Sequence, residues 1–89
     1  MTITQLTEKY KLTLWSTHKT STGKEYHYLD DFGINIIINP ETKEFSLRWM
    51  IPRSIFTIEC PSCSPYDNEE HFDKIYNKFL QTVFRYKNN

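Results

Sequence analysis

Ile34, Ile36 and Ile38 alternate along the chain. The segment Asn39-Pro40-Glu41-Thr42-Lys43-Glu44 follows, and then Phe45, Leu47 and Trp49 alternate in turn. Successive side chains of a strand point to opposite faces, so each triplet occupies a single face. Pro40 presets its own φ and cannot continue a central ladder, and Asn39 tolerates turn geometry, so the segment between the triplets closes a hairpin. With Asn39 opposite Glu44, Ile38 meets Phe45, Ile36 meets Leu47 and Ile34 meets Trp49, all on one side. A slip of one residue would turn all six side chains into water. The chain is thereby committed to an antiparallel sheet with one strongly apolar face.

The same even-odd reading extends in both directions. Tyr10 to Thr17 reads as a first strand with Tyr10, Leu12 and Leu14 on one face and Lys11, Thr13 and Trp15 on the other. Thr17 to Lys24 is polar and partly basic and reads as a long loop. Glu25 to Leu29 then places Tyr26 and Tyr28 on the core face and His27 opposite, and Asp30-Asp31-Phe32-Gly33 reads as a turn. Pro52-Arg53 reads as a two-residue turn into a fifth strand, Ser54 to Glu59. That register sets Trp49 opposite Phe56, Leu47 opposite Ile58 and Met50 opposite Ile55, with Arg48 between Asn35 and Thr57.

From Asp67 the period becomes helical. Phe72, Ile75, Tyr76, Phe79, Leu80 and Val83 form a stripe at spacings of three and four, opposite Asp73, Lys74, Asn77, Lys78 and Gln81. Asp67, three residues before Glu70, reads as the cap, and acids at the start with Lys78, Arg85 and Lys87 towards the end suit the helix dipole. Ile3 to Lys9 carries a faint helical signal, and the first ten residues could pair with the sheet, cap it or stay loose. One apolar stripe and one apolar sheet face imply a two-layer α+β domain. The expected architecture is a four- or five-stranded antiparallel meander on one C-terminal helix. Residues 1–89 form one domain, with 1–59 mainly sheet, 60–66 loop and 67–87 helix.

A chain of 89 residues excludes large catalytic architectures. Eleven Lys and Arg balance eleven Asp and Glu, and the pI is near 6.8, which disfavours both strongly basic nucleic-acid binders and acidic mimics. No apolar run exceeds three residues and Met1-Thr-Ile-Thr-Gln5 has no basic start, so no membrane or targeting segment is expected and the expected location is cytoplasmic. Two cysteines three residues apart cannot clamp a fold, in keeping with a reducing compartment. The absence of Ala and the single Val beside nine Ile, six Asn and eight Lys suggest A+T-rich coding, as in a phage or mobile element.

The outward sheet face should be polar, yet parity puts Trp15, His27, Ile37, Arg48, Met50 and Ile55 there. Trp, Met and Arg are favoured at interface centres because they desolvate large areas and still make a specific polar contact. These six residues mark a surface for a protein partner or the seam of a homodimer. The expected function is a non-enzymatic adaptor or inhibitor, with no cofactor. His18, His27 and His71 fall in separate elements and no nucleophile motif accompanies them.

A second reading is a single-stranded nucleic-acid binder, with His18, Lys19, Lys24 and Arg53 on phosphates and Trp15 as a stacking platform. Against it, Glu59 to Asp73 holds five acids and no Lys or Arg. A third is a zinc-stabilised module using Cys60, Cys63 and His71, which needs a fourth ligand such as His18 or His27. As a redox pair, Cys60-Pro-Ser-Cys63 lacks the adjoining helix N-terminus that lowers a thiol pKa, because Ser64-Pro65-Tyr66 intervenes. Otherwise the two cysteines are small buried or half-buried residues of a strand-to-helix loop.

Overall fold

The hairpin that Pro40 closes sits at the heart of the sheet. In the computed structural model, which describes residues 1–88, five strands form an antiparallel meander in the spatial order of the chain. They are β1 (Thr13–Thr20), β2 (Gly23–Leu29), β3 (Asn35–Asn39), β4 (Glu44–Met50) and β5 (Thr57–Cys63), flanked by helices α1 (Ile3–Tyr10) and α2 (Glu69–Lys87). Ile36 faces Leu47, Ile38 faces Phe45 and Asn39 faces Glu44, as the alternation predicts. Tyr28 and Tyr26 continue that face opposite Ile36 and Ile38. Phe72, Tyr76, Phe79 and Val83 of α2 close over Ile34, Ile36, Ile38, Phe45, Leu47 and Trp49 to make the core.

Helix α1 belongs to the same layer, so there are two helices rather than one. A capping box starts it: Gln5 N–H donates to the Thr2 hydroxyl at 3.1 Å and Thr2 N–H donates to the Gln5 side chain at 2.8 Å. Lys11, at φ 55°, ends it in a left-handed cap. Its Leu6 is fully buried, a gain of about 1.5–3 kcal/mol, and Tyr10 lies 5.1 Å from the Phe72 ring and 4.7 Å from the Tyr76 ring. Tyr10 is therefore a helix residue and not the start of the first strand. Its hydroxyl donates to Asp73 at 2.6 Å, and Lys9 pairs with Glu69 at 2.8 Å, so α1 is docked on α2.

Four further expectations need correction. Thr17 to Lys24 is not a loop, because Thr17 pairs with Tyr26, His18 with Glu25 and Lys19 with Lys24, leaving Ser21-Thr22 as a tight turn. Gly23 permits that turn: its φ is +138°, and a Cβ there would lie 2.6 Å from a Glu41 carboxylate oxygen. The β4–β5 connection is also longer than Pro52-Arg53, running from Ile51 to Phe56 and closed by Ile51 N–H donating to Phe56 O at 3.0 Å. Trp49 consequently faces Ile58, Leu47 faces Cys60 and Met50 faces Thr57. This is a shift of two residues, which preserves parity but takes Ile55 and Phe56 off the sheet.

Thirdly, β5 runs through the Cys60-Pro-Ser-Cys63 segment, where a loop was expected. A bulge sets Cys60 and Cys63 opposite Leu47 and Phe45, so β5 uses one more residue than β4 over that stretch. An edge strand tolerates Pro61, which has no N–H to offer a further neighbour. Lastly, Asn68 caps α2 by accepting from His71 N–H at 3.0 Å. Asp67 instead accepts from Lys43 at 2.7 Å, and its carbonyl accepts from the chain's N-terminal ammonium at 2.8 Å.

The Asp30 turn fastens the sheet to α2. One carboxylate oxygen accepts from Phe32 N–H at 2.9 Å and Ile34 N–H at 2.8 Å, and the other accepts from the Tyr76 hydroxyl inside the core. Among the described residues no helix is long and apolar enough to cross a membrane.

Candidate interaction face

Leu6 and the apolar stripe of α2 share one core with the even-numbered residues of β2 and β3 and the odd-numbered residues of β4, so both helices cover one face of the sheet. Among the described residues no element covers the opposite face. Trp15 reaches it through a local irregularity: Leu14 pairs with Tyr28 and Ser16 with His27, leaving Trp15 as the extra residue of a β-bulge. Its indole N–H donates to the Asn35 side-chain oxygen at 3.2 Å, and its ring meets His27 edge-on at 5.9 Å. His27 in turn packs against His18 at 4.6 Å between centroids. Ser16 and Glu25 partner these two imidazoles, at 2.9 Å from His18 Nε2 and 3.4 Å from His27 Nε2.

Asn35 lies between Leu29 and Arg48 on the neighbouring strands. Arg48 Nε donates to a Glu59 carboxylate oxygen at 3.0 Å, with both side chains about half exposed. A pair so hydrated contributes little to folding, so its groups can exchange each other for a partner's at small cost. Met50 continues the strip beside Arg48. Trp15, Leu29, Asn35, Arg48 and Met50 thus form a band from β1 to β4 in which apolar surface alternates with hydrogen-bonding groups.

Of the six residues expected on this face, Trp15 is 55% exposed and Met50 66%, and Arg48 is also open to solvent. His27 is largely covered by its aromatic neighbours and Ile37 is buried. Ile55 is 91% exposed, but on the β4–β5 connection beside the exposed Phe56 and not opposite Met50. Leu29, which shares parity with His27, joins this face, and Phe56, expected in the core opposite Trp49, is exposed.

The nucleic-acid set does not assemble. His18, Lys19 and Lys24 lie near the β1–β2 turn, while Arg53 sits on the β4–β5 connection at the opposite end of the sheet. Alternation also turns Lys19 away from the His18 face, and the Lys24 ammonium rests 5.5 Å from the Tyr26 ring centre. Of the metal set, Cys60 and Cys63 come together, with sulfurs 3.5 Å apart. His71 packs against Phe45 with its Nε2 buried and unpartnered, and among the described residues no three His, Cys, Asp or Glu side chains converge as a metal would require.

No protein-family model matches the chain, and comparisons with curated proteins and with solved structures find no significant similarity.

Proposed function

We propose that the protein is a small non-enzymatic protein-binding domain, an adaptor or inhibitor, whose partner docks on the uncovered sheet face. The partner surface that fits has an apolar centre to cover Trp15, Leu29 and Met50, and an acceptor for the Arg48 guanidinium. One observation carries the reading: a sheet layered on one side only exposes a tryptophan, a methionine and an arginine together on its bare side. Such residues concentrate binding energy because they desolvate large area and keep a directional contact. The Ile55 and Phe56 tip adjoins the Met50 end of the band and can extend the footprint.

Affinity capture tests this. Arg48→Ala with Met50→Ala removes exposed side chains, so the fold should survive while the proteins retained by the wild type are lost. Unchanged retention by a folded double variant would place the binding surface elsewhere.

A further inference from the structure

Residues 60 and 63 of a regular strand would point to opposite faces. The β5 bulge undoes this: Cys60 and Cys63 oppose Leu47 and Phe45, which are two residues apart on one face of β4. Two strand residues span about 6.7 Å, so the Cα atoms of the cysteines are held at about that separation, at the upper end of what a disulfide bridges. The sulfurs are 3.5 Å apart as free thiols, and both residues are only half-buried on an edge strand. We infer that Cys60 and Cys63 form a reversible thiol-oxidation site that takes a low-molecular-weight disulfide as its oxidant. This inference is independent of the docking face.

The order of events follows from the environment of each sulfur. Burial, then the hydrogen bond and charge of Cys60, push the Cys63 thiol up to about 11, and its S–H donates to the Pro61 carbonyl at 3.1 Å. Cys63, whose S–H is held by the Pro61 carbonyl, is therefore protonated at neutral pH, and the first attack falls to Cys60, which gives its own proton to solvent. Cys60 displaces one thiolate from the small disulfide RSSR and becomes a mixed disulfide. Capping removes the Cys60 hydrogen bond and charge, two of the causes that hold the Cys63 proton. Cys63 then loses that proton to solvent and attacks the Cys60 sulfur, expelling the second thiolate. Two protein thiols are oxidised to one disulfide, and RSSR is reduced to two RSH.

Oxidised glutathione is the probe, with acid quenching and intact-mass measurement of the folded protein. The expected product is a monomer lighter by about 2 Da with no maleimide-reactive thiol. Cys63→Ser should stop at a single adduct heavier by about 305 Da. Brief alkylation of the wild type should label Cys60 ahead of Cys63, whose S–H is held by the Pro61 carbonyl. Two persistent free thiols or two separate adducts on the native chain, with closure only in denaturant, would overturn the inference. So would a disulfide-linked dimer as the product. The wild-type mass decides the matter even if the variant does not fold.

Discussion

Replacing Tyr76 with Phe removes one hydroxyl from the core and nothing else. That hydroxyl donates to the Asp30 carboxylate, which is itself buried and already accepts from Phe32 N–H and Ile34 N–H. The contact joins the β2–β3 turn to the middle of α2 across 46 residues. A hydrogen bond to a charged group contributes about 1.5–3 kcal/mol, and here the orphaned oxygen cannot turn to bulk water. Tyr76→Phe should therefore lower stability by about 2 kcal/mol, or about 8–16 °C in Tm for a domain of this size. Tyr10→Phe is the internal control: its hydroxyl also donates to a carboxylate, but that of Asp73 is 41% exposed, so water can replace the lost donor and the cost should stay below about 1 kcal/mol. Urea unfolding followed by circular dichroism, at constant m-value, measures both. Equal effects of the two variants, or a Tyr76→Phe effect within about 0.5 kcal/mol of zero, would refute a buried Asp30 anchor.

Leu6→Ala should cost about 2–5 kcal/mol in the same assay, because α1 contributes a fully buried side chain to the core; a surface-like effect would mean α1 does not pack there. Asn68→Ala should cost about 1 kcal/mol, as expected for loss of an N-cap, and more than Asp67→Ala, whose partner Lys43 is exposed. Burial first and the Asp73 contact second push the Tyr10 hydroxyl from 10.0 to about 12, and burial also raises Tyr28 and Tyr76. Raised folded-state values mean this stability is complete below pH 10.0 and is lost as pH climbs through about 12 for Tyr10 and higher for Tyr76. The share of the tyrosinate absorbance that belongs to Tyr10, Tyr28 and Tyr76 should accordingly appear only above pH 10.0, with the loss of circular dichroism; ionisation of all tyrosines near pH 10 with the fold intact would contradict it.

Much of this fold is legible in parity alone, because an error of one residue would expose the whole β3–β4 core face, whereas an error of two is silent. The β4–β5 offset shows the difference: Ile58 and Cys60 keep the core face while Ile55 and Phe56 are displaced. The bulges at Trp15 and at Pro61-Ser62 leave no periodic signature, since an inserted residue is indistinguishable from a continuing strand until its partner is known. For that reason Cys60 and Cys63 read as loop residues: their spacing allows a thiol pair, but not its place on one face of β5. The capping box of Thr2 and Gln5 was readable, but Tyr10 and Leu12 also suit a strand, and tertiary contacts with Phe72 and Tyr76 decide for the helix. Asp67 and Asn68 are both competent caps; Lys43 draws Asp67 aside. Of the interaction face, Arg48 and Met50 follow from alternation, Trp15 keeps its expected side as the extra residue of a bulge, and what alternation does not reveal is which neighbours shield His27 and Ile37.

Hydroxyl-radical footprinting of the free protein measures the bare face most directly, since the chain contains its own reference: Trp15 is 55% exposed and Trp49 only 4%. Trp15 and Met50 should oxidise several-fold faster than Trp49. Equal protection of Trp15, Met50 and Trp49 would mean that the outer face is already covered, and the docking account would fall.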